Sequence, residues 1–351
     1  MTQTLPIDPS APLSGANTRE VRAAILLGAL TAALLVLIIL SLLVGRRTSG
    51  VGGLIDLFAT DPETAWLIFS EVRLPRTMLT VIVGATLGLS GAVLQGVLRN
   101  PLAEPALLGA SSSAALGAVV MFYFGVSGAF GFALPLGGMV GTLAATALLF
   151  ILGGRAQDTL TLILAGVAIN SLTAALTSLA LNFAPSPYAA LEIVFWILGS
   201  FADRSMEHVW LALAPSLVGW ALLLGLGRAL DALTLGEDTA ATLGFDVPAV
   251  KRRAIIGAAC AVGAAVSVTG VISFVGLVVP HVLRPLVGYR PSRLLAASTI
   301  GGAVLMTAAD IGVRALTATV TGLELKVGVL TALIGAPFFL HLLLVLRRAG
   351  T

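Results

Sequence analysis

The sequence predicts an all-α polytopic membrane protein of about ten transmembrane helices, and three observations predict it. Of the 351 residues, 58% are hydrophobic and 11% charged, with a mean hydropathy of +1.03, against roughly 25% charged in soluble domains. Apolar runs close to the ~20 residues that cross a hydrocarbon core recur along nearly the whole length. A polar, breaker-rich segment, Q-G-V-L-R-N-P-L-A-E-P (95–105), lies directly between two of those runs. Non-helical backbone at membrane depth persists only where protein or a water-filled cavity satisfies its polar groups. The interruption therefore points to a pathway and not to an anchor.

Residues 1–22 are polar and carry Pro6, Pro9 and Pro12, which reads as a flexible cytoplasmic tail. The run 23–45 is too long for a signal-peptide core and lacks a cleavage site, so it reads as the first span. Further spans are expected at 77–98, 106–125, 132–153, 159–181, 208–227, 254–271, 273–287, 294–314 and 327–346, making 23–348 one transmembrane domain. The segment 273–287 is short and holds Pro280 and Pro285; such interrupted segments often line a cavity. Gly84, Gly88 and Gly91, then Gly109, Ser111, Ser112, Ser113 and Gly117, form small-residue faces suited to close helix packing.

Val83-Gly84-Ala85, Ser90-Gly91 and Pro101 recur as Val262-Gly263-Ala264, Thr269-Gly270 and Pro280, with Leu107 and Gly109 matching Leu286 and Gly288. The two halves span approximately 77–181 and 254–346, and the second copy starts five spans after the first, an odd number, so they run in opposite directions. Inverted repeats of this kind are a common transporter plan.

Thirteen of the 20 lysines and arginines, among them Lys251, Arg252, Arg253, Arg290 and Arg293, fall on the side of the N-terminus. The positive-inside rule then places both termini in the cytoplasm, with Arg46 and Arg47 as misfits. The same rule accounts for the net charge of +3 without nucleic acid, since no basic run carries interleaved aromatics. Cys260 is the only cysteine, which excludes an intrachain disulfide and a cysteine metal cluster. His208, His281 and His341 are too scattered to predict a metal triad.

The segment 228–253 is the longest polar interruption of the second half. Thr239 to Leu243 reads as a short helix ended by Gly244, with a second short helix beginning near Pro248. Alanines and leucines at helical spacing on a cytoplasmic loop predict a docking surface. A phosphate-binding loop requires G-x-x-x-x-G-K-[ST], yet Lys251 precedes Arg252 and Lys326 precedes Val327. ATP hydrolysis is therefore expected on another polypeptide.

R-L-P-R (73–76), G-A-x-L-x-L-S-G-A-V-L-Q-G (84–96), R-N-P-L-A-E-P-A-L-L-G-A-S-S (99–112), L-G-E-x-x-A-x-x-L-G (235–244), F-V-G-L-V-V-P-H (274–281) and V-G-V-L-T-A-L-I-G-A-P-F-F (327–339) occur in this order. Over roughly residues 20–348 the chain resembles the FecCD family, BtuC-like permeases of bacterial type II ABC importers for iron–siderophore complexes, haem and cobalamin. The resemblance implies ten helices per subunit in the bacterial inner membrane and a homodimer around one path. It also implies two cytoplasmic ATPase subunits carrying the ATP and Mg, a periplasmic binding protein, and no cofactor on this chain.

By the same resemblance Arg73, Arg76 and Arg314 receive acidic residues of the binding protein. Guanidinium groups bind carboxylates bidentately and stay charged; snorkelling to the headgroups is the plainer alternative. Leu235, Gly236, Glu237, Ala240, Leu243 and Gly244 match the segment that contacts the ATPase, with Glu237 inserting into a groove on it. Gln95, Asn100, Pro101, Glu104, Ser111, Ser112, Pro280 and His281 are the candidates for path or gate. Against that role, Asn100 and Glu104 flank prolines and suit turns and caps. Asp310 suits an i,i+4 pair with Arg314, and His281 suits the backbone freed by Pro280. An ion-coupled secondary transporter is the rival reading, although it demands charged groups in mid-span. An intramembrane enzyme lacks a constellation. Iron–siderophore is the expected cargo, with haem next and cobalamin as the alternative.

Overall fold

In hydrocarbon, apolar burial does not drive helices together, so a bundle of this composition depends on close backbone approach and polar contacts. The computed structural model describes residues 14–45, 53–125, 132–154, 159–319 and 325–349. Among these the chain is helix and connecting turns, without a strand. The helices are α1 (Ser14–Leu43), α2 (Gly53–Thr60), α3 (Pro62–Leu67), α4 (Leu74–Val97), α5 (Ala110–Tyr123), α6 (Ala133–Gly153), α7 (Thr159–Asn182) and α8 (Pro187–Ile197). They continue with α9 (Met206–Leu224), α10 (Gly227–Leu233), α11 (Glu237–Thr242), α12 (Val247–Thr269), α13 (Val275–Leu283), α14 (Pro291–Thr319) and α15 (Val327–Ala349). A π-helical turn, Ile68–Arg73, leads into α4, and a 3-10 turn, Pro105–Leu108, precedes α5.

Every predicted span has a helix over it, and among the described residues seven stretches are long and apolar enough to cross a bilayer; the spans predicted at 106–125, 273–287 and 327–346 are not among them. The predicted span 273–287 departs furthest. Its helix α13 has nine residues, about 14 Å at 1.5 Å per residue, and follows a break marked by positive φ at Gly270 and Phe274. The N-terminal boundary also moves. Arg19, Glu20 and Arg22 favour helix and α1 already runs from Ser14, with Glu20 paired to Arg293 at 3.2 Å. The rest of the expected tail, residues 1–13, lies outside the described residues, as do Arg46 and Arg47.

Two short helices do form in the loop 228–253, one of them the helix expected ahead of Gly244 and the other not the one expected near Pro248. They are α10 and α11, whereas Pro248 sits in the first turn of the long α12, where Asp246 caps the Ala249 N–H at 3.0 Å. A free carboxylate oxygen ahead of a helix-compatible proline is an N-terminal start for any helix, long or short. The repeat is visible in part. The N-terminal end of α4 lines a cavity with Phe201 and Ala202, and the C-terminal end of α12 reaches the same stretch, the Ser200 N–H donating to the Thr269 carbonyl at 2.7 Å, so the two helices run in opposite senses. Gly109 and Gly288 are both left-handed and each precedes a helix. Correspondence fails at Gly91, which is inside α4 while its counterpart Gly270 ends α12.

Helix α4 is the axis of the bundle and is buried almost throughout. A Cβ on Gly84 would collide with the Gly302 carbonyl, one on Gly88 with the Ser298 carbonyl, and one on Gly91 with Gly276. Glycine is therefore required on this helix to admit α14 and α13. Hydroxyls supplement the contact: Thr80 meets Thr307 at 3.1 Å, Ser41 meets Thr77 at 2.7 Å, and Trp220 Nε1 donates to Thr86 at 3.0 Å. Replacing Gly88 by Ala should lower stability in detergent by about 1–3 kcal/mol, the usual cost of overpacking. Gly28→Ala, where a Cβ meets nothing within 4 Å, should not lower the thermal midpoint of the same preparation.

Candidate functional site

Three groups of polar residues stand out, one at each end of the bundle and one at its internal break. The first lies where α1 ends and α4 begins. The last four carbonyls of a helix have no partner within it. For α1 these are Ser41 to Val44, and two guanidiniums take all four. Arg73 Nη1 donates to Leu42 and Leu43 at 2.8 and 2.6 Å, and Arg314 Nη1 donates to Ser41 and Val44 at 2.8 Å each. Asp310, fully buried, receives Arg76 at 2.8 and 3.0 Å and lies 3.1 Å from Arg314 Nε.

Arg73 and Arg314 are thus buried cap residues, and Arg76 is held by a carboxylate of its own chain. Arg73 and Arg314 do not fit the role of surface cations presented to a partner, because they are buried and donate to the end of α1, whereas Arg76 keeps a partly exposed side beside its Asp310 pair. Asp310 and Arg314 form the expected i,i+4 pair, with Arg76 added to it.

Arg73, Arg76 and Arg314 line a cavity of about 540 Å³, together with Val44, Glu71, Phe201, Asp203, Arg204 and Ser205. Arg204 was counted in the sequence only as one more basic residue of the loop before α9. Its buried Nε has no hydrogen-bond partner, and Asp203, beside it, has φ of 56°. Burial pulls the Arg204 guanidinium below its ordinary range, and the Asp203 carboxylate offsets part of that. The cavity therefore offers an underused cation to an entering anion. The sequence signal was its position just ahead of a capping box, Ser205 with His208.

At the internal break, Gln95 accepts from Arg284 at 2.5 Å and its amide faces the carbonyls of Gly276 and Leu277 at 3.3 and 3.4 Å. It binds α4 to the C-terminal side of the α12–α13 break. Asn100 Oδ1 accepts from the Leu102 N–H at 2.9 Å, so it shapes the turn at Pro101. Glu104 holds the N-cap position of the 3-10 turn at Pro105 without a side-chain bond to it, and its carboxyl group instead faces the backbone N–H of Phe274. Ser112 donates to Asn170 at 2.5 Å, while Asn170 donates to the Ala106 carbonyl at 2.7 Å, fastening α7 to the break. Ser111 is buried. Pro280 is inside α13, and His281 does not serve the backbone there: its Nδ1 is buried without a partner and its ring meets Phe338 edge-on at 5.7 Å. The break is thus a joint between elements made by Gln95, Glu104, Ser112 and Asn170, while Asn100 acts within its own turn and His281 faces α15.

At the far end, α11 lies between Gly236 (φ 113°) and Gly244 (φ 91°), backbone that only glycine adopts readily. Leu235 and Leu243 are 65% and 59% exposed, whereas Ala240 beneath them is fully buried. Glu237 points back to the bundle, with both carboxylate oxygens 2.9 Å from Lys251 Nζ. Asp231 steadies the neighbouring loop by accepting from the Ser292 N–H at 2.8 Å and from Arg290 at 3.1 Å. Among the described residues no group of three or more His, Cys, Asp or Glu is placed to hold a metal.

The FecCD transport family's sequence profile matches residues 33–345. The chain is 41% identical to the cobalamin import system permease protein BtuC of Halobacterium salinarum, over 80% of this chain and 74% of that one. It is 36% identical to the hemin transport system permease protein HmuU of Yersinia pestis (88% and 94%), and 37% identical to the Fe(3+) dicitrate transport system permease protein FecD of Escherichia coli (80% and 86%). A solved structure described as an inward-facing conformation, in a transporter assigned to the metal-chelate ABC type, superposes with a TM-score of 0.80 at 34% identity, covering 89% of this chain and 96% of that one. Removing the shared carboxylate, Asp310→Ala, leaves the buried Arg314 and the partly buried Arg76 without it and should cost about 3–5 kcal/mol, measured as thermal unfolding in detergent. Arg204→Ala should leave that midpoint unchanged.

Proposed function

The chain belongs to the FecCD transport family and is the permease of an ABC importer, and from that premise we propose that its cargo is an iron chelate, an iron–siderophore complex first and haem next. The observation that supports the division of labour is the contrast between the two ends of the bundle. One end carries a cationic cavity, the other a short helix with two exposed leucines, and the sequence holds no phosphate-binding loop. We assign the cavity end to the periplasm and the α11 end to the cytoplasm of a bacterial inner membrane, with both termini cytoplasmic. A periplasmic binding protein docks on the first and two ATPase subunits, holding ATP and Mg, grip the second.

The path lies between two copies of the chain in this reading. Helix α4 fills the axis of a single bundle, which leaves no room there for a chelate. The break at Gln95, Asn100, Pro101, Glu104, Ser111, Ser112, Pro280 and His281 is the joint at which the α4 and α13 halves shift as the path opens. Arg204 and the exposed side of Arg76 receive carboxylates of the binding protein, while Arg73 and Arg314 hold the rim in shape. Guanidinium–carboxylate pairs of this kind orient an encounter and give it its salt dependence.

Support for iron comes from the relatives named for hemin and Fe(3+) dicitrate. A second reading, cobalamin, is favoured by the 41% identity to the Halobacterium permease. Binding of ferric siderophore, haem and cobalamin to the binding protein of the same import system decides between them: tight binding of cobalamin alone would overturn the iron reading. Arg204→Glu should weaken association of that binding protein by roughly tenfold with the ATPase still bound. Leu235→Glu with Leu243→Glu should abolish co-purification of the ATPase. Uptake into liposomes holding this chain without any ATPase would refute the importer reading and favour an ion-coupled carrier.

A further inference from the structure

We propose that Glu237 is a positioning residue that rivets α11 to the base of α12 through Lys251, so that displacement of the short helix is delivered into the bundle. The proposal rests on the reading that α11 meets the ATPase, and it reverses the expectation that Glu237 itself inserts into that partner. Both carboxylate oxygens of Glu237 are 2.9 Å from Lys251 Nζ. Lys251 is 3% exposed and sits in the second turn of α12, where a buried ammonium requires counter-charge. Thr159, the first residue of α7, reaches the same carboxylate at 3.5 Å. Glu237 thus touches two long helices while belonging to a helix of only six residues.

The rest of α11 explains why a rivet is needed. Glycines with positive φ flank it on both sides, at Gly236 and Gly244, and these are the backbone positions most able to pivot. Besides that pair, α11 is held to the core by the buried methyl of Ala240 and by Phe245, which follows it and packs against the same cluster. The leucines that face outward, Leu235 and Leu243, make no comparable anchor. With the Glu237 pair in place a push on those leucines moves α12 and the start of α7 together. With the pair broken, α11 pivots on its glycines and the push is absorbed there.

The test compares wild type, Glu237→Gln and the exchanged pair Glu237→Lys with Lys251→Glu. In the full chain in lipid nanodiscs, Glu237→Gln should speed amide hydrogen exchange at 237–243 by roughly tenfold while 254–269 stays protected. With the ATPase and binding protein reconstituted, uptake per ATP hydrolysed should fall severalfold, and the exchanged pair should restore both readouts. Unchanged exchange at 237–243 overturns the proposal. So does wild-type coupling with α11 loosened, or a coupling loss that persists once the exchanged pair has restored protection. The docking reading fails separately: if the ATPase still assembles on the variant carrying Glu at 235 and 243, that reading falls while the exchange data still judge the rivet.

Discussion

The approach of α4 to α14 and α13 across bare glycine backbone is the constraint on which the other contacts depend. Gly84, Gly88 and Gly91 place the carbonyls of 302, 298 and 276 where side chains would otherwise stand. In lipid that proximity substitutes for the hydrophobic effect, because dispersion between backbones is available there and apolar transfer is not. Once α4 is seated, Thr77, Thr80 and Thr86 fall within reach of Ser41, Thr307 and Trp220, and Gln95 within reach of the α13 carbonyls. The polar contacts follow from the packing and then fix its register.

The two ends differ in how they spend their charges. At the cavity end, guanidinium groups are mostly committed to α1 and Asp310, and only part of the cationic surface remains for an approaching partner. At the α11 end, the ionic contact lies underneath and the apolar residues face out. On the proposed assignment of the ends, charge at the cavity end suits a transient soluble partner, since it steers encounters and is sensitive to salt. Apolar contact at the α11 end suits a partner that stays attached through a working cycle.

Much of this was legible in the sequence because membrane helices announce themselves by length and composition. The spans, the glycine faces, the short helix before Gly244 and the Asp310–Arg314 pair all depend on neighbours a few residues apart, which pattern alone can show. What was misread depends on distant neighbours. Nothing in R-L-P-R reveals that the carbonyls of 42 and 43 end beside Arg73, or that Asp310 reaches Arg76 across 234 residues. Lys251 counted as a loop cation until α12 was seen to begin at Val247 and bury it. His281 looked like a proline's companion, yet its ring packs on Phe338 of a helix that the motif does not contain.

The clasp on α1 bears on how the chain is made. Residues 41–44 leave the ribosome early, with carbonyl groups that lack donors, and one of the two arginines that satisfy them arrives 270 residues later with Arg314. Until then the first helix stands in the bilayer with its terminus half finished, each bare carbonyl costing about 1–3 kcal/mol. Closure of the α1 terminus is therefore deferred until residue 314 has been made, and a product that stops short of it keeps that terminus open.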